Sequence, residues 1–468
     1  MNKFAKLDHQ YVWHPFTQMR DWLRSEPIVI SSGRGAVLRD VRGREFLDAN
    51  SSIWTNLHGH NHPKINAAIS RQLKKIAHSS ALGFANEPAS VLAQKLVVAA
   101  NPPRKARRLD KVFFSDDGST ALEVALKLAY EFSRRVKKIK NPKFLSLEGA
   151  YHGDTIGAVS LGHIDLFHKA YGGLLFKSDK VMSPYCYRCP FNRARPERAD
   201  AREYRQCNWE CTRLVEQKFS KAKSHPYAAF VFEPLMQGAA GMIPQPSGWL
   251  HRVSQIARAH GALLIADEVM TAFGRTGLVN GRDPLLASHR ENVQPDFACL
   301  AKGLTGGYLP MAATLTTRDI FNAFLGEYHE FKTFFHGHSY TGNQLGAAAG
   351  IASLDLLQEQ KSVRKRKALE KKLRVELQSL WSLPNIGDIR QVGLVAGIEL
   401  VKNWRTREPF SLRERAGIRV CDAMTEHGVL TRPIGNVIVL MPPYCTTPAQ
   451  LEKMVAIIRE SISRTLGS

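Results

Sequence analysis

Residues 297–307 read FACLAKGLTGG, a short apolar run followed by a single lysine, Lys302, and a glycine-rich turn. A second apolar run, ALLIA at residues 262–266, ends on Asp267 and Glu268. Such runs are typical of strands in a parallel sheet that is buried on both faces. Ligands of these sheets bind beyond the carboxyl ends of the strands. The sequence therefore predicts an α/β fold in which Lys302 and Asp267 lie at one edge of the sheet.

An amine and a carboxylate at the same sheet edge suit pyridoxal 5'-phosphate. The lysine amine forms a Schiff base with its aldehyde, and the carboxylate keeps the pyridine nitrogen protonated so that the ring withdraws electrons. Taken alone, Lys302 is better interpreted as a structural lysine that pairs with a nearby acid than as a lysine that binds a cofactor. Further motifs are needed to decide between these two interpretations.

Two further segments suit the phosphate and the ring of such a cofactor. A strand-like run is followed by DDGS at residues 116–119, which opens a strongly helix-forming segment. A helix that begins on Gly118 and Ser119 presents free backbone N–H groups to a phosphate, although the same residues also make an ordinary helix cap. Tyr151, which opens the motif YHGD, offers an aromatic face for the flat ring.

The 468 residues exceed the size at which one hydrophobic core keeps growing, so two domains are expected. Hydrophobic residues make up 44% of the chain and charged residues 23%, as in ordinary globular proteins. No stretch has the pattern of a signal peptide or the apolar length of a membrane span. The sequence therefore predicts a cytoplasmic protein without a membrane partner.

The chain is strongly basic, with 65 Lys and Arg residues, 42 Asp and Glu residues and a net charge of +23. Such a charge raises the hypothesis of nucleic-acid binding. The densest basic cluster, at residues 364–374, is interleaved with leucines at helical spacing, so it forms the solvated face of an amphipathic helix. Because no nucleic-acid motif accompanies it, we interpret the charge as favouring solubility and anionic ligands.

Four of the seven cysteines form two close pairs, Cys186 with Cys189 and Cys207 with Cys211. Their arrangement is near that of a zinc ribbon, in which four thiolates fill a structural site. The residues between the pairs are mostly polar, as in a surface insertion, here placed at residues 184–212. Two interpretations stay open: a structural zinc ion, or free thiols in an exposed loop.

The motifs that contain Gly118, Tyr151, Asp267 and Lys302, together with Glu233-Pro234, resemble those of the class III pyridoxal-phosphate aminotransferases in order and spacing. These aminotransferases are fold-type-I enzymes. The resemblance runs over nearly the whole chain. It implies a mostly parallel sheet in a large domain and a smaller α+β domain. The large cofactor domain is expected at residues 51–358 and the small domain at 359–468, with a contribution from residues 1–50.

Four segments narrow the resemblance to members that aminate 8-amino-7-oxononanoate in biotin synthesis. They are YVWHPFTQM at residues 11–19, SSIW at 51–54, HGHNHP at 58–63 and HGHSYTGNQ at 336–344. The implied product is 7,8-diaminononanoate, with S-adenosylmethionine or lysine as the amino donor. The alternatives are another class III ω-amino-acid transaminase and, in a different class, a basic nucleic-acid-associated zinc protein.

The resemblance also implies roles for single residues around the cofactor. Lys302 carries it and then acts as general acid and base. Asp267 pairs with the pyridine N–H group, and Tyr151 lies against the ring. Gly118 and Ser119 hold the phosphate.

Other residues are expected to complete the site. His338 and Ser339 reach the phosphate from the partner subunit, which implies a homodimer with shared active sites, and Gly337 of the same loop lies near the substrate. Arg432 binds the distal carboxylate of the substrate, since a guanidinium grips a carboxylate through two parallel hydrogen bonds. Arg275 falls near the substrate end as well.

Phe16, Ile53 and Trp54 are expected to line the substrate side, where the chain departs from some members of the family. Those members carry a tyrosine at the position of Phe16 and a tryptophan at that of Ile53. Members that use adenosylmethionine carry a tyrosine where Val439 stands. The segments HGHSY and GGYLP instead resemble the branch that uses lysine. The sequence leaves the donor open.

Overall fold

The computed structural model describes residues 1–101, 108–222, 226–277 and 284–467. The strands within these ranges are β1 (Ile30–Arg34), β2 (Val37–Asp40), β3 (Glu45–Asp48), β4 (Leu109–Ser115), β5 (Lys143–Leu147), β6 (Asp179–Val181), β7 (Tyr227–Phe232), β8 (Met236–Gln237), β9 (Ile243–Pro244), β10 (Leu263–Asp267), β11 (Phe297–Leu300), β12 (Ala312–Thr317), β13 (Ile386–Val392), β14 (Val395–Asn403), β15 (Glu408–Pro409), β16 (Val429–Leu430), β17 (Pro433–Ile434) and β18 (Val437–Leu440).

The helices within the same ranges are α1 (Lys3–Tyr11), α2 (Met19–Trp22), α3 (Ser51–Trp54), α4 (Pro63–Leu73), α5 (Glu87–Ala99), α6 (Gly118–Arg135), α7 (Ile156–Leu161), α8 (Asp165–His168), α9 (Ala201–Tyr204), α10 (Glu210–Lys221), α11 (Trp249–Ala259), α12 (Arg318–Asn322), α13 (Gln344–Gln358), α14 (Gln360–Gln378), α15 (Ala416–Glu426) and α16 (Pro448–Leu466). None of the helices in the described part of the chain has the length and apolar character of a membrane span.

The central element is a seven-stranded sheet in the order β4-β12-β11-β10-β7-β5-β6. Strand β10 runs parallel to β11 and β7, and β5 runs parallel to β7 and β6. Strand β12 is antiparallel to its neighbours β11 and β4. The predicted α/β class with a mostly parallel sheet is confirmed.

Both faces of this sheet are covered, which explains its uninterrupted apolar strands. In β10, Leu263 and Ile265 pack with residues of α6 in one core cluster. The intervening Leu264 and Ala266 pack with residues of α10 and α11 in another. Since successive side chains of a strand point to opposite faces, each position of β10 has to be apolar until Asp267 ends the strand.

Besides the two-stranded sheet β8-β9, the described residues form two smaller sheets, the first of which connects the beginning of the chain with its C-terminal part. The first has the order β1-β2-β3-β16, and the second has the order β13-β14-β18-β17, with β15 beside β14. Strand β16 comes from the C-terminal part and runs parallel to β3. The domain limits at residues 1–50, 51–358 and 359–468 stay a prediction.

Helix α14 carries the densest basic cluster of the chain. Its Leu369, Leu373 and Leu377 are buried, whereas Lys367 and Lys371 are exposed. The amphipathic interpretation of this cluster is therefore confirmed for these residues, whereas Arg366 is buried and donates to the carbonyl of Leu357.

The insertion at residues 184–212 packs against the second small sheet. The hydroxyl of Tyr185 donates to the carboxylate of Glu399, and Nε of Arg188 donates to the same carboxylate at 2.8 Å. Arg198 donates at 2.6 Å to a backbone carbonyl at the start of β13. Side chains of the insertion thus attach it to the C-terminal part of the chain.

The four cysteines of the insertion are free thiols, with Cys186 and Cys211 buried and Cys189 and Cys207 partly buried. In residues 1–101, 108–222, 226–277 and 284–467, no group of His, Cys, Asp or Glu side chains is arranged to hold a metal ion. Burial raises the pKa of Cys186 to about 12 and that of Cys211 to about 11, so without a metal both side chains are protonated at neutral pH. The predicted zinc ion has no support. Of the alternative, free thiols in an exposed loop, only the exposed setting is wrong, because the four cysteines are buried or partly buried.

Arg390 lies at the centre of the contact between the insertion and the small sheet. Its guanidinium is fully buried and donates to Glu399 at 2.6 Å and to Asp388 at 3.1 Å. Its Nε also donates to the carbonyl of Met242 at 2.7 Å. This single side chain therefore joins the small sheet to the segment that follows β8.

We expect Arg390→Met to lower the free energy of unfolding by about 3 kcal/mol, because it removes a counter-charge from two buried carboxylates. Urea titration at fixed protein concentration measures this change. The control is Arg39→Met, whose partner Glu45 and whose own side chain are each 56% exposed. That pair is expected to contribute less than about 1 kcal/mol. Equal losses in the two variants would contradict a central role for Arg390.

Candidate active site

The carboxyl ends of the parallel strands open into a cavity of about 740 Å³. Its wall contains Asp267 at the end of β10, Lys302 after β11 and Glu233 after β7. The structure thus brings together residues that are far apart in the sequence. The predicted site residues that line this cavity are Trp54, Gly118, Ser119, Tyr151, Asp267 and Lys302.

Lys302 has a backbone φ of +44°, in the left-handed region that few non-glycine residues adopt. Its Nζ lies 4.8 Å from the centre of the Trp54 ring system. Burial lowers the pKa of Lys302, although the charges of Asp267 and Glu233 act in the opposite direction. A lowered pKa leaves more of the amine neutral, which is the form that attacks a carbonyl carbon.

Asp267 is held by a histidine that the sequence reasoning did not single out. Nδ1 of His152 lies 2.7 Å from Oδ2 of Asp267, and both side chains are buried. Burial alone would lower the pKa of His152, but the hydrogen bond and charge of Asp267 raise it above its ordinary value. Oδ1 of Asp267 accepts a hydrogen bond from the backbone of Val269 at 3.1 Å. The position of His152 directly after Tyr151 in the YHGD motif is the feature of the sequence that could have identified it.

Glu233 is a second carboxyl group in the cavity wall, and the sequence noted it only as an acid at a strand end. It accepts hydrogen bonds from the backbone N–H groups of Gly238 at 2.7 Å and Tyr151 at 3.4 Å. Burial raises the pKa of Glu233 to about 7, and the charge of Asp267 acts in the same direction. Glu233 therefore takes up a proton as the pH falls through neutrality.

The phosphate end of the cavity is the beginning of α6. The side chain of Asp117 accepts a hydrogen bond from the N–H of Thr120, and the N–H groups of Gly118 and Ser119 have no acceptor within the helix. A Cβ atom on Gly118 would lie 2.7 Å from Cγ1 of Val269, so only glycine fits there. Free N–H groups and the positive end of a helix dipole attract a phosphate.

Aromatic side chains surround Tyr151, which lines the cavity. The hydroxyl of Tyr151 donates to Asp154 at 2.5 Å, which leaves the ring at the cavity wall. The ring of Phe16 lies 6.4 Å from that of Tyr151 and 5.3 Å from that of Phe167, in edge-on contacts. Phe16 is thus near the predicted site, and Phe167 joins it although the sequence reasoning missed it.

The segment containing Gly337, His338 and Ser339 lies near the cavity of its own chain but does not line it. Nδ1 of His338 is 3.0 Å from Oδ2 of Asp116, a residue of the cavity wall. Gly337 and Ser339 are exposed. Their reach into the site of a partner subunit stays a prediction.

Arg275 does not line the cavity. It is 1% exposed and donates to the backbone carbonyls of Pro442 at 2.9 Å and Asn56 at 3.1 Å. Its guanidinium also lies 4.9 Å from the ring centre of Tyr444. These hydrogen bonds join two segments of the backbone, and the predicted role of Arg275 toward the substrate stays a prediction.

Arg432 and Ile53 also lie outside the cavity wall of the single chain. Arg432 stands between β16 and β17 and is exposed, and Ile53 is exposed as well. Both positions leave their side chains free to meet a substrate or a partner subunit. The predicted roles of Arg432 and Ile53 in substrate binding stay predictions.

The residues of the cavity fit pyridoxal phosphate. Lys302 has an amine with a lowered pKa, Asp267 is a buried carboxylate paired with His152, and Gly118 opens a helix with free N–H groups. An amine, a carboxylate and a phosphate cradle are the three features that this cofactor requires.

A match to the family described as Aminotransferase class-III spans residues 19–462. The chain is 45% identical over 460 residues to the adenosylmethionine-8-amino-7-oxononanoate aminotransferase of Geobacter sulfurreducens, covering 98% of this chain and 97% of that one. The solved structure of the enzyme of that name from Methanocaldococcus jannaschii has a TM-score of 0.89 and 39% identity, and the match covers 99% of each chain. An amine transaminase from an uncultivated Pseudomonas species, in its pyridoxal-phosphate-bound form, has a TM-score of 0.87 and 32% identity over 97% of this chain and 98% of that one. Sequence, fold and cavity agree, and the chain belongs to the class III aminotransferase family.

Proposed function

We propose that this protein transfers an amino group to 8-amino-7-oxononanoate and forms 7,8-diaminononanoate in biotin synthesis. Relatives 45% and 44% identical over nearly the whole chain carry the name of that activity. The observation that carries the proposal within this chain is the convergence of Lys302 and Asp267 on one cavity. Pyridoxal phosphate, when bound, supplies an aldehyde for the amino group and a ring that stabilises negative charge on the neighbouring carbon.

Lys302 would hold the cofactor covalently until the amino group of the donor displaces it. Its Nζ, then a free neutral amine, would take the proton from the donor carbon that bears the amino group. The lowered pKa of Lys302 increases the neutral fraction near pH 7. The ring centre of Trp54 lies 4.8 Å from Nζ, so the indole covers one side of this amine.

Asp267 holds the ring nitrogen in its protonated form. His152 donates a charge-assisted hydrogen bond to Asp267 and fixes its orientation. Glu233 adds a second carboxyl group that changes charge near pH 7. Gly118 and Ser119 anchor the phosphate.

We also propose a homodimer, because exposed aromatic side chains flank the segment that contains His338 and Ser339. Phe335 is 74% exposed and Tyr340 is 62% exposed. Large exposed apolar side chains in one segment indicate an interface. Light scattering after size exclusion measures the mass, and a monomer at micromolar concentration would contradict this proposal. A cytoplasmic location stays a prediction.

The reaction is tested by single-turnover assays with the cofactor-loaded protein. Each candidate donor, S-adenosylmethionine or lysine, is mixed with the protein while the absorbance of the cofactor is followed. The aminated protein is then mixed with 8-amino-7-oxononanoate, and mass spectrometry identifies the product. Formation of 7,8-diaminononanoate supports the proposal, whereas transfer to pyruvate alone would favour an ω-amino-acid transaminase. The zinc-containing nucleic-acid protein loses its support, because the family is shown and no metal-binding group occurs among the described residues.

Arg432 is proposed to bind the distal carboxylate of 8-amino-7-oxononanoate. We expect Arg432→Ala to slow the half-reaction with this substrate about tenfold to a hundredfold, because hydrogen bonds to a charged group are lost. The half-reaction with the donor is expected to keep its rate. The control is Arg413→Ala, another exposed arginine of the C-terminal part. Equal slowing of both half-reactions would indicate a structural role or a carboxylate site that the donor shares, and would contradict a site specific to 8-amino-7-oxononanoate.

A further inference from the structure

The turn that carries Trp54 has a left-handed backbone. The φ angles of Ser51, Ser52, Ile53 and Trp54 are 48°, 48°, 62° and 68°. For residues with a Cβ atom, this conformation costs roughly 1–2 kcal/mol per residue relative to the right-handed one. Four such residues in succession persist only when the surrounding structure holds them, and strain of this kind clusters at functional sites. Contacts with the surrounding structure therefore have to stabilise this turn.

Asp48, the last residue of β3, supplies most of these contacts. Its Oδ1 accepts hydrogen bonds from the N–H groups of Ser52 at 3.0 Å and Asn50 at 3.2 Å. Its Oδ2 accepts one from the hydroxyl of Ser52 at 3.0 Å and lies 2.9 Å from Nε2 of His60. Burial acts to raise the pKa of Asp48, but the contacts with His60 and Ser52 lower it by more. The pKa therefore lies below its ordinary value, and the carboxylate stays charged. The hydroxyl of Ser51 donates to the carbonyl of Met441 at 2.7 Å and anchors the other side of the turn.

The left-handed turn sets the direction of the Trp54 side chain. Side-chain direction follows the backbone, so a right-handed turn would carry the indole elsewhere. In the present conformation Nζ of Lys302 lies 4.8 Å from the indole ring centre. The indole also packs tightly on Gly238, where an added Cβ atom would lie 3.2 Å from Cζ3 of Trp54. The indole thus occupies one defined place beside the amine.

We infer that Asp48 is a positioning residue, which with His60 and Ser52 holds the left-handed turn so that the indole of Trp54 covers the amine of Lys302. Asp48 is buried and is not part of the cavity wall, so it acts through Trp54. The catalytic meaning of this contact rests on the proposed function, in which Lys302 carries the cofactor. The contact itself is a property of the chain without cofactor.

The test measures the reactivity of Lys302 in the full-length, cofactor-free protein. A short pulse of acetic anhydride at several pH values is followed by quantification of acetylated Lys302 by peptide mass spectrometry. We expect Asp48→Ala to raise the acetylation rate of Lys302 about three- to tenfold. The reason is that loss of the cation–π contact with Trp54 removes a stabilisation of the protonated amine, which does not react. Trp54→Ala is expected to raise the rate by the same factor. The double variant is expected to equal Trp54→Ala alone, because residues that act through one another are not additive.

Asp40→Ala is the matched control for the loss of a buried carboxylate. Oδ1 of Asp40 also accepts two backbone hydrogen bonds, from Arg42 and Arg44, each at 2.9 Å, and Asp40 ends β2 of the same sheet outside the cavity wall. This variant is expected to lose stability but to keep the parent reactivity of Lys302. His60→Asn provides a second, milder variant in case Asp48→Ala does not fold, and it is expected to raise the reactivity in the same direction.

Unchanged Lys302 reactivity in both the Asp48 and His60 variants would overturn the inference. So would an additive effect in the double variant, or an equal effect of Asp40→Ala. Because no transamination is measured, a failure here leaves the proposed reaction standing. Conversely, the expected reactivity pattern without formation of 7,8-diaminononanoate would remove the substrate assignment alone.

Discussion

Replacement of Lys302 with alanine is expected to lower turnover by about four orders of magnitude or more, because one amine provides both the covalent attachment and the proton transfer. The fold is expected to persist. Alanine has a Cβ atom like lysine, so the left-handed backbone at this position, with φ of +44°, carries the same cost in the variant. Circular dichroism and size exclusion check this expectation.

Lys302→Arg separates the charge of Lys302 from its nucleophilicity. A guanidinium stays protonated and cannot attack an aldehyde, so this variant is expected to be as inactive as Lys302→Ala. Lys180→Ala removes an exposed lysine that pairs with Glu148 and is expected to keep the parent rate. Single-turnover absorbance changes measure all three variants. Multiple turnover by Lys302→Ala without an added amine would show that another group carries the cofactor.

Asp267→Asn is expected to retain the cofactor but to lose about three orders of magnitude or more in rate, since removal of a preorganised charge partner has effects of this size. The amide keeps the shape of the carboxylate but no longer holds the ring nitrogen protonated. The absorbance of the dialysed protein measures cofactor retention, and single-turnover assays measure the rate. A rate close to that of the parent would show that Asp267 is not the partner of the ring.

Glu268→Gln is the matched control for Asp267→Asn. Glu268 is the neighbouring buried acid, but its carboxylate accepts hydrogen bonds from the N–H groups of Ala287 and Ser288 and does not line the cavity. This variant is expected to lose stability and to keep most of its rate per folded molecule. Equal losses of rate in the two variants would indicate a general effect of disturbing the end of β10.

Asp267→Asn also has an expected signature in the cofactor-free protein. Asp267 raises the pKa of His152, so their pair stabilises the fold fully below the ordinary histidine pKa of 6.5, and this stabilisation is lost as the pH rises through the raised pKa. The difference in unfolding free energy between the parent and Asp267→Asn is therefore expected to be larger at acidic than at alkaline pH. A constant difference across this range would contradict the pairing of Asp267 with His152.

The local pattern of the sequence was sufficient for the centre of the fold and for the placement of Lys302 and Asp267 at one edge of the sheet. Apolar runs that end on Asp267 and before Lys302 predict buried parallel strands, and the carboxyl ends of such strands meet at one edge. The same reasoning placed Gly118 and Ser119 at the start of a helix, which the structure confirms. These predictions depend on residues that are close in sequence, so no knowledge of distant contacts was needed.

The sequence by itself thus determined the class of fold, the placement of an amine and a carboxylate at one edge of the sheet, and the start of a helix at Gly118. The roles of these residues toward a cofactor came from the family resemblance. Only the tertiary structure decided that Arg275 is buried against backbone carbonyls, that the insertion packs on the small sheet, and that Asp48 holds the left-handed turn under Trp54. The physical reason is that a polar side chain satisfies its hydrogen bonds with whichever partners the packed chain brings near. Those partners are distant in sequence, as Arg275 and Pro442 are, so periodicity and spacing carry no information about them.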